Sequence, residues 1–210
     1  MSTSGKCIIL SAPSGAGKTT IVHRLLASDL GLEFSVSATS RAMRPNERNG
    51  KDYWFMSPEQ FRLKIEEDAF VEWEEVYPGQ FYGTLRQELD RIWHAGKHAI
   101  FDVDVVGGSD LKSVFGPNAL ALFISPPSLQ VLEQRLRSRG TETDESLRKR
   151  VTKAEREMDY IPHFDHTIVN DDLERACAEA TTLVTVSYTH LPCGRRVRPA
   201  HRYSSGRWAS

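Results

Sequence analysis

The chain has 210 residues, 40% hydrophobic and 26% charged, which excludes a disordered protein and supports one well-buried core. No stretch approaches the roughly 20 apolar residues that cross a bilayer, and three cysteines without a CxxC pair favour the reducing cytoplasm over a disulfide framework or a zinc site. Residues 186–210 carry five arginines and no acidic residue, which leaves 22 basic and 28 acidic residues before them. A net charge near −6 over residues 1–185 argues against general nucleic-acid binding.

Short apolar runs alternate with amphipathic helical patterns along the chain, which predicts an α/β fold with a parallel sheet. Apolar runs predict strands at 7–10, 99–105, 119–124 and 166–170. The spacing of apolar residues predicts helices at 19–28, 58–68, 84–95, 128–139, 145–160 and 172–184. Capping side chains stand at several of the predicted helix starts: Ser57, Ser128, Asp144, Asp171 and Asp172.

Two segments interrupt this alternation. Residues 33–82 contain strand-like pieces (FSVSATS and DYWFM) and only one long helical pattern, at 58–68. Residues 137–150 are highly charged around Gly140. The functional interpretation is an insertion that lines a cleft and a mobile lid, and ordinary surface loops explain the composition equally well.

The strongest local signal is SAPSGAGKTT, residues 11–20, which follows a predicted strand and opens a predicted helix, as a P-loop requires. Gly15 and Gly17 allow successive backbone N–H groups to point towards an anion, and the helix N-terminus adds its positive dipole end. Lys18 can then reach the β and γ phosphates of ATP, and the Thr19 hydroxyl can ligate Mg²⁺. Ala12 replaces the first glycine of the GxxxxGK[ST] pattern. The expected ATP-binding residues here are Ala12, Pro13, Ser14, Gly15, Ala16, Gly17, Lys18, Thr19 and Thr20.

A P-loop also needs a carboxylate on the metal side, usually at the end of an apolar strand. Asp102 follows Ala99-Ile100-Phe101, and Asp104 lies two residues on, along the same face of the predicted strand. Unpaired buried carboxylates are strongly disfavoured, which favours a functional role and makes Thr19 and Asp102 the expected Mg²⁺ ligands. The alternative is that one aspartate caps a turn at Gly107-Gly108.

Several further segments occur in order. They are SVSATSRAMRPNERNGKDYWF (35–55), FVEWEEV (70–76), FYGT (81–84), FDVDVVG (101–107), the run from ISPPS to RLRSRGTET (124–143) and IVNDD (168–172). Together with SAPSGAGKTT they closely resemble the guanylate kinases, over about residues 5–184.

The resemblance implies a domain at 1–185 with a P-loop core (5–32, 84–134 and 151–185), a mixed α/β GMP-binding region (33–83) and a helical lid (135–150). It implies the reaction ATP + GMP ⇌ ADP + GDP, with Mg²⁺ carried by ATP and with dGMP as a further candidate acceptor. The phosphate acceptor is already largely ionised near neutral pH, so no general base is required.

The resemblance also places the GMP contacts, which fall on Ser37, Arg41, Arg44, Tyr53, Glu72, Tyr82, Thr84 and Asp104. Guanine presents N1–H and N2–H₂ as adjacent donors, which the Glu72 carboxylate can accept with support from Asp104. Adenine would leave the Glu72 charge unsatisfied. Ser37 and Thr84 fall near the base O6, and the two arginines with the two tyrosines resemble the family's clamp on the GMP phosphate. Without the family, the arginines would be an ordinary solvated charge run.

The lid arginines of the family fall on Arg135, Arg139 and Arg150, which with Lys18 and Arg44 make the expected catalytic set. Asn170 resembles the family residue near the ATP adenine; a turn after a strand is its other interpretation. Val106 stands where the family often has glutamine, a loss that affects the GMP side.

The tail at 186–210 lacks the amphipathic pattern with which the family ends its last helix, so it is expected to be disordered or foreign to the fold; a nucleic-acid-binding arm is the alternative. Two other functions stay open. One is a peptide-binding, guanylate-kinase-like domain without activity, against which GAGKTT and the lid arginines weigh. The other is a kinase for AMP or dTMP, which Glu72 disfavours.

Overall fold

The computed structural model describes residues 5–138 and 144–190, with side chains up to Tyr188. In chain order its elements are β1 (Cys7–Ser11), α1 (Lys18–Leu26), β2 (Leu32–Phe34), β3 (Ala38–Thr39), β4 (Trp54–Phe55), α2 (Pro58–Glu66), β5 (Phe70–Tyr77), β6 (Gln80–Leu85), α3 (Arg86–His94), β7 (His98–Asp102), α4 (Val105–Phe115), β8 (Ala119–Ser125), α5 (Leu129–Ser138), α6 (Asp144–Met158), β9 (His166–Val169) and α7 (Leu173–His190). No helix in the described part of the chain is long and apolar enough to span a membrane.

The core sheet contains five parallel strands in the order β2-β7-β1-β8-β9. Helices α1 and α7 pack with Ile8 and Leu10 on one face, and α3 and α4 pack with Cys7 and Ile9 on the other. A parallel sheet that is covered on both faces needs near-continuous apolar strands, which is why CIIL and ALALFI carry almost no polar residue. The predicted α/β fold with a parallel sheet is therefore confirmed.

The second sheet is formed by the segment between β2 and α3, in the order β4-β3-β6-β5. Strands β5 and β6 form an antiparallel pair, as do β3 and β6. Phe61 of α2 stacks on Phe70 and Phe81, with ring centroids 4.3 and 5.3 Å apart, so this sheet has a core of its own. The capping residue predicted for α2 is confirmed, because Gln60 N donates to Ser57 Oγ at 3.2 Å.

Helix α4 corrects the prediction of a strand over 99–105. Strand β7 ends at Asp102, and Asp104 is the N-cap of α4, where its Oδ1 accepts from Gly107 N at 2.9 Å. A pair of glycines suggests a turn, yet Gly108 lies in the first turn of α4. Glycine is needed there because a Cβ would meet Ser11 Oγ. The alternative for the two aspartates was that one of them caps a turn at Gly107-Gly108, and Asp104 has such a capping role at the start of α4.

The last helix also differs from the expectation for residues 186–210. Residues 186–190 continue α7 rather than forming part of a separate tail. Lys6 Nζ donates to the carbonyl of Ser187 at 2.9 Å, and Tyr188 OH donates to the carbonyl of Leu30 at 2.8 Å. The bond from Lys6 satisfies a carbonyl at the end of the helix, and the bond from Tyr188 ties the helix to the segment before β2; periodicity in the sequence reveals neither. The remainder of the predicted tail, 191–210, lies outside the described residues.

Candidate active site

The loop between β1 and α1 has the geometry of an anion-binding turn. Gly15 and Gly17 have φ of 97° and 96°, a region that side chains with a Cβ rarely adopt. Gly17 is the N-cap of α1, so the free N–H groups of the first helical turn follow it directly. Ala12 is tolerated in place of glycine, because Asp68 is the only non-glycine residue with positive φ in the described ranges.

Asn170 supports this loop from behind. Its side chain is buried, and its Nδ2 donates to the Ala16 carbonyl at 2.7 Å. A Cβ on Gly17 would collide with the same amide, so only glycine fits there. The backbone carbonyl of Asn170 accepts from Arg135 Nη2 at 2.8 Å. The structure thus gives Asn170 a contact with the loop; the adenine contact stays a prediction.

Lys18, Thr19 and Asp102 converge beside the loop. Because β7 neighbours β1 with Leu10 opposite Asp102, the carboxylate emerges at the carboxyl edge of the sheet next to the P-loop. Lys18 Nζ forms an ion pair with Asp102 and donates to the Val103 carbonyl at 2.6 Å. Thr19 Oγ1 lies 3.4 Å from Asp102 Oδ2. The residues predicted for the phosphate and metal side are therefore neighbours in space.

A cavity of about 340 Å³ opens in front of the loop. It is lined by Ala12, Pro13, Ser14, Gly15, Gly17, Lys18, Thr19, Thr20, Asp102, Asp104, Lys153 and Glu157. The last two residues come from α6 and were not predicted. Lys153 Nζ lies 3.6 Å from Glu157 Oε1, and burial raises the pKa of Glu157. The sequence could have indicated Glu157, because it is an acidic residue on the same buried side of α6 as Leu147 and Ala154.

The predicted guanine contacts meet on the β5–β6 pair. Glu72 lies opposite Thr84, and Thr84 Oγ1 donates to Glu72 Oε1 at 2.7 Å. Burial raises the pKa of Glu72 to about 8; the hydrogen bond from Thr84 opposes this shift, and the charges of Asp110 and Asp104 add to it. Glu72 is a half-buried carboxyl group close to like charges, and it is suited to accept from a ligand that brings donors.

Glu74 is a second carboxyl group on this face and was not predicted. It lies two residues beyond Glu72 on β5, so both side chains project from the same side of the strand. Burial, followed by the charges of Asp104 and Asp110, raises the pKa of Glu74 to about 7. The alternation of β5 could have indicated Glu74, because residues two apart on a strand share a face, whereas the family resemblance assigns a GMP contact in this segment to Glu72 alone.

The predicted phosphate clamp is partly assembled. The Arg41 guanidinium lies 4.9 Å from the centre of the Tyr53 ring, and Tyr53 meets Tyr82 edge to face at 6.1 Å. Both oxygens of Glu47, an unpredicted residue, accept from Arg41 at 2.6 and 2.7 Å. Hydrogen bonds from Arg41 and then from the Arg44 backbone hold the pKa of Glu47 down to about 2.

The other members of the predicted clamp are placed less closely. The Arg44 side chain is exposed, and its backbone N–H donates to Glu47 at 2.8 Å. Ser37 lies just before β3, and its carbonyl accepts from Trp54 N at 2.9 Å. Both oxygens of Glu47 thus occupy the Arg41 guanidinium, the group predicted to bind the GMP phosphate.

Two of the predicted lid arginines lie near the P-loop. Arg150 Nη1 donates to Ser14 Oγ at 3.2 Å, and Arg135 reaches the Asn170 carbonyl, as described above. Helices α5 and α6 share a small apolar cluster around Leu136 and Leu147, which holds the two arginine-bearing helices together. Arg139 lies outside the described residues.

A parallel sheet with a glycine-rich loop and a lysine after its central strand, and with a carboxylate on the neighbouring strand, defines a P-loop nucleotide-binding protein. The sequence pattern of the guanylate kinase family matches residues 4–186. The chain belongs to the guanylate kinase family, and its curated relatives are named as kinases. The predicted resemblance is thereby confirmed.

Individual relatives agree with this assignment. The guanylate kinase of Bacteroides fragilis is 50% identical over 179 residues, 85% of this chain and 88% of the relative. That of Porphyromonas gingivalis is 54% identical over 169 residues, 80% of this chain and 90% of the relative. The crystal structure of guanylate kinase from Anaplasma phagocytophilum superposes with a TM-score of 0.68 at 28% identity, covering 88% of this chain and 86% of that one.

Proposed function

We propose that the protein transfers the γ-phosphoryl group of ATP to GMP and releases ADP and GDP. The observation that carries this function is that the P-loop cavity and the two carboxyl groups of β5, Glu72 and Glu74, share one neighbouring residue. Asp104 lines the cavity and also acts electrostatically on Glu72. A donor phosphate on the loop and an acceptor nucleotide on β5–β6 therefore face one cleft. The curated relatives are named guanylate kinases, which supports GMP as the acceptor.

The donor side would hold the triphosphate of ATP. Because Gly15 and Gly17 have positive φ, the N–H groups that follow them are suited to bind an anion, and Lys18 adds a positive charge. The Thr19 hydroxyl and the Asp102 carboxylate offer the oxygen ligands that Mg²⁺ prefers. Within the described ranges, no group of three or more His, Cys, Asp or Glu side chains could hold a metal, which fits an ion shared with phosphates and water. Bound Mg²⁺ would neutralise charge on the β and γ phosphate oxygens.

The acceptor side would hold GMP. Glu72 would accept from N1–H and N2–H₂ of guanine, with Thr84 beside it and Asp104 across the cleft. The GMP phosphate would lie against Arg41, Tyr53 and Tyr82, where it would replace Glu47 at the guanidinium fork. Ser37 and Arg44 complete the proposed set, with contacts that require the bound nucleotide.

The chemical step forms one bond and breaks another. A GMP phosphate oxygen bonds to the γ-phosphorus while the bond from that phosphorus to the β–γ bridging oxygen breaks, and ADP leaves. The attacking phosphate has its second pKa near 6 and is already largely ionised at neutral pH, so no base needs to take a proton. The protein contributes alignment and positive charge through Lys18, Arg135 and Arg150, with Arg139 as the further proposed lid residue.

A panel of acceptors tests this function. With ATP and Mg²⁺, we expect the wild-type chain to form ADP with GMP, and with AMP or dTMP at less than about one hundredth of that rate. Lys18→Ala should lower kcat about 100-fold or more without changing the melting temperature appreciably. A peptide-binding domain without activity would form no GMP-dependent ADP, and a kinase for another monophosphate would prefer that acceptor. Because ATP and GMP are cytoplasmic metabolites, we also propose the cytoplasm as the site of action.

A further inference from the structure

The insertion that carries the proposed GMP site is joined to the core sheet by two chain crossings. The first runs from the end of β2 to β3 through residues 35–37, and the second lies between Leu85 of β6 and Arg86 of α3. Glu88 follows the second crossing by three residues and is only 3% exposed. A carboxylate this deeply buried is disfavoured unless donors surround it.

Glu88 has donors from both sides of the junction. Its Oε1 accepts from the backbone N–H of Val36, in the first crossing, at 3.1 Å. Its Oε2 accepts from Nε1 of Trp54, in strand β4 of the insertion, at 3.3 Å. Arg91, one turn along α3, donates to both oxygens at 2.8 and 3.2 Å. One side chain of the core thus holds the first crossing and the insertion.

The core side of this network continues away from the insertion. Arg91 also forms an ion pair with Glu33 on β2, and Glu33 Oε2 lies 2.9 Å from Lys97 Nζ. Glu33 and Lys97 both belong to the core. Arg91 therefore pairs with two carboxylates, Glu88, which contacts the insertion, and Glu33, which contacts only core residues in these ion pairs. This division supplies a control for the experiment below.

We propose that Glu88 is a positioning residue that fixes the orientation of the insertion relative to the core, and thereby the fit of GMP. The inference rests on the proposed function. Glu72 and Thr84 belong to the insertion, whereas Asp104 caps a core helix, so the acceptor site is complete only when the two parts are correctly oriented. The P-loop, Lys18 and Asp102 all belong to the core, so the ATP site does not depend on this orientation.

The chemistry of the contact explains why a carboxylate is needed. Two of the donors, the Val36 N–H and the indole N–H, are fixed in place and point to different oxygens. A glutamine at position 88 keeps the size of the side chain but replaces one oxygen by an NH₂ group. That group would face a donor, so at least one of the two contacts across the junction is lost.

Steady-state kinetics of the full chain test the inference. For Glu88→Gln we expect KM for GMP to rise about tenfold, since small misplacements of bound groups have large effects, while KM for ATP stays within about twofold. Trp54→Phe keeps an aromatic ring but removes the indole donor, and it should raise KM for GMP about two- to threefold with KM for ATP unchanged. Glu33→Gln breaks ion pairs of the core alone and should leave both constants within about twofold.

The outcomes separate this inference from the proposed function. If the wild-type chain does not phosphorylate GMP, the proposed function is wrong and the inference falls with it. If the wild-type chain does so, but Glu88→Gln changes both KM values by the same factor or neither of them, the positioning role alone is overturned. A lower melting temperature with unchanged KM for GMP would likewise leave Glu88 a purely stabilising residue.

Discussion

The Glu72 carboxyl group links burial to ligand binding. Burial raises its pKa to about 8, so near neutral pH the group without ligand holds a proton. The two N–H donors of guanine favour the ionised form, because a carboxylate accepts from both. Binding of GMP should therefore release a proton, and the affinity for GMP should increase as the pH rises towards 8.

We expect KM for GMP to fall roughly five- to tenfold between pH 7 and pH 8.5, a range above the second pKa of the phosphate, near 6. Glu72→Gln should raise KM for GMP and remove this dependence, with KM for ATP little changed. Calorimetry in two buffers of different ionisation enthalpy would measure the proton released on GMP binding. A wild-type KM that does not change with pH would contradict the assignment of the raised pKa to the GMP site.

The same shift affects the free energy of unfolding without ligand. The folded state holds the Glu72 proton more tightly than the unfolded chain, in which the pKa is near 4.5. The contribution of this group to stability is thus fully present below about pH 4.5 and is lost as the pH rises through about 8. Glu74 acts in the same direction, with a pKa of about 7.

At the residue scale, the sequence predicted the groups that belong to short motifs and missed those that meet the site through tertiary contacts. Lys18 and Asp102 follow from a strand, a glycine loop and a second strand, and the structure brings them together. Glu47 and Lys153 belong to charged stretches that look solvated in the sequence. Their positions depend on how a loop and a helix fold back, which composition does not specify.

Helix α6 is the element that adds unpredicted charge to the cavity. Lys153 lines the cavity and pairs loosely with Glu157, whereas Lys149, one turn earlier, pairs with Glu145 at 2.7 Å and does not line it. A lysine beside a polyphosphate site stabilises bound negative charge, and one on the outer face of the helix does not.

We therefore expect Lys153→Met to lower kcat/KM for ATP roughly three- to tenfold, and Lys149→Met to leave it within about twofold. Both variants remove one lysine charge from the same helix, so the difference between them reports position rather than net charge. Initial rates at saturating GMP and varied ATP provide the measurement. Equal effects of the two substitutions would show that Lys153 does not act on the nucleotide.

The bounds of an element could be predicted where capping, propensity and periodicity agreed. The prediction failed where long-range packing determined the structure. Helix α2 has a proline, a capping serine and an apolar stripe, and it was found. Helix α4 has two glycines in its first turn, which are poor helix formers in isolation, and it was missed because the close approach of Gly108 to Ser11 is a long-range contact that no local sequence window contains. The pairing of β2 with β7 in the core sheet is likewise a long-range property of the fold.

At the scale of the whole molecule, the end of α7 is bonded to the residues that precede β1 and β2. Lys6 donates to carbonyl groups of Ser187 and Tyr188, and the Tyr188 hydroxyl donates to Leu30. The Tyr188 ring also packs against His98, with centroids 4.5 Å apart. The first strand, the last helix and the strand β7 thus depend on one another at this end of the molecule.

Two shortened chains test this role. A chain that ends at residue 190 should melt close to the full-length protein. A chain that ends at residue 185 should lose about 1–3 kcal/mol of unfolding free energy, because buried donors lose their acceptors, and its melting temperature should fall by roughly 2–12 °C. Thermal unfolding followed by circular dichroism supplies the values. Identical melting curves would mean that the bonds around Tyr188 do not stabilise the fold.

A crystal structure with GMP and a non-hydrolysable ATP analogue tests the central claim most directly, because it locates both nucleotides at once. We predict the triphosphate on the backbone N–H groups of residues 15–20 beside Lys18, and the guanine with its N1–H and N2–H₂ on Glu72. A loop that stays empty at saturating analogue, or a purine bound away from Glu72, would contradict the account.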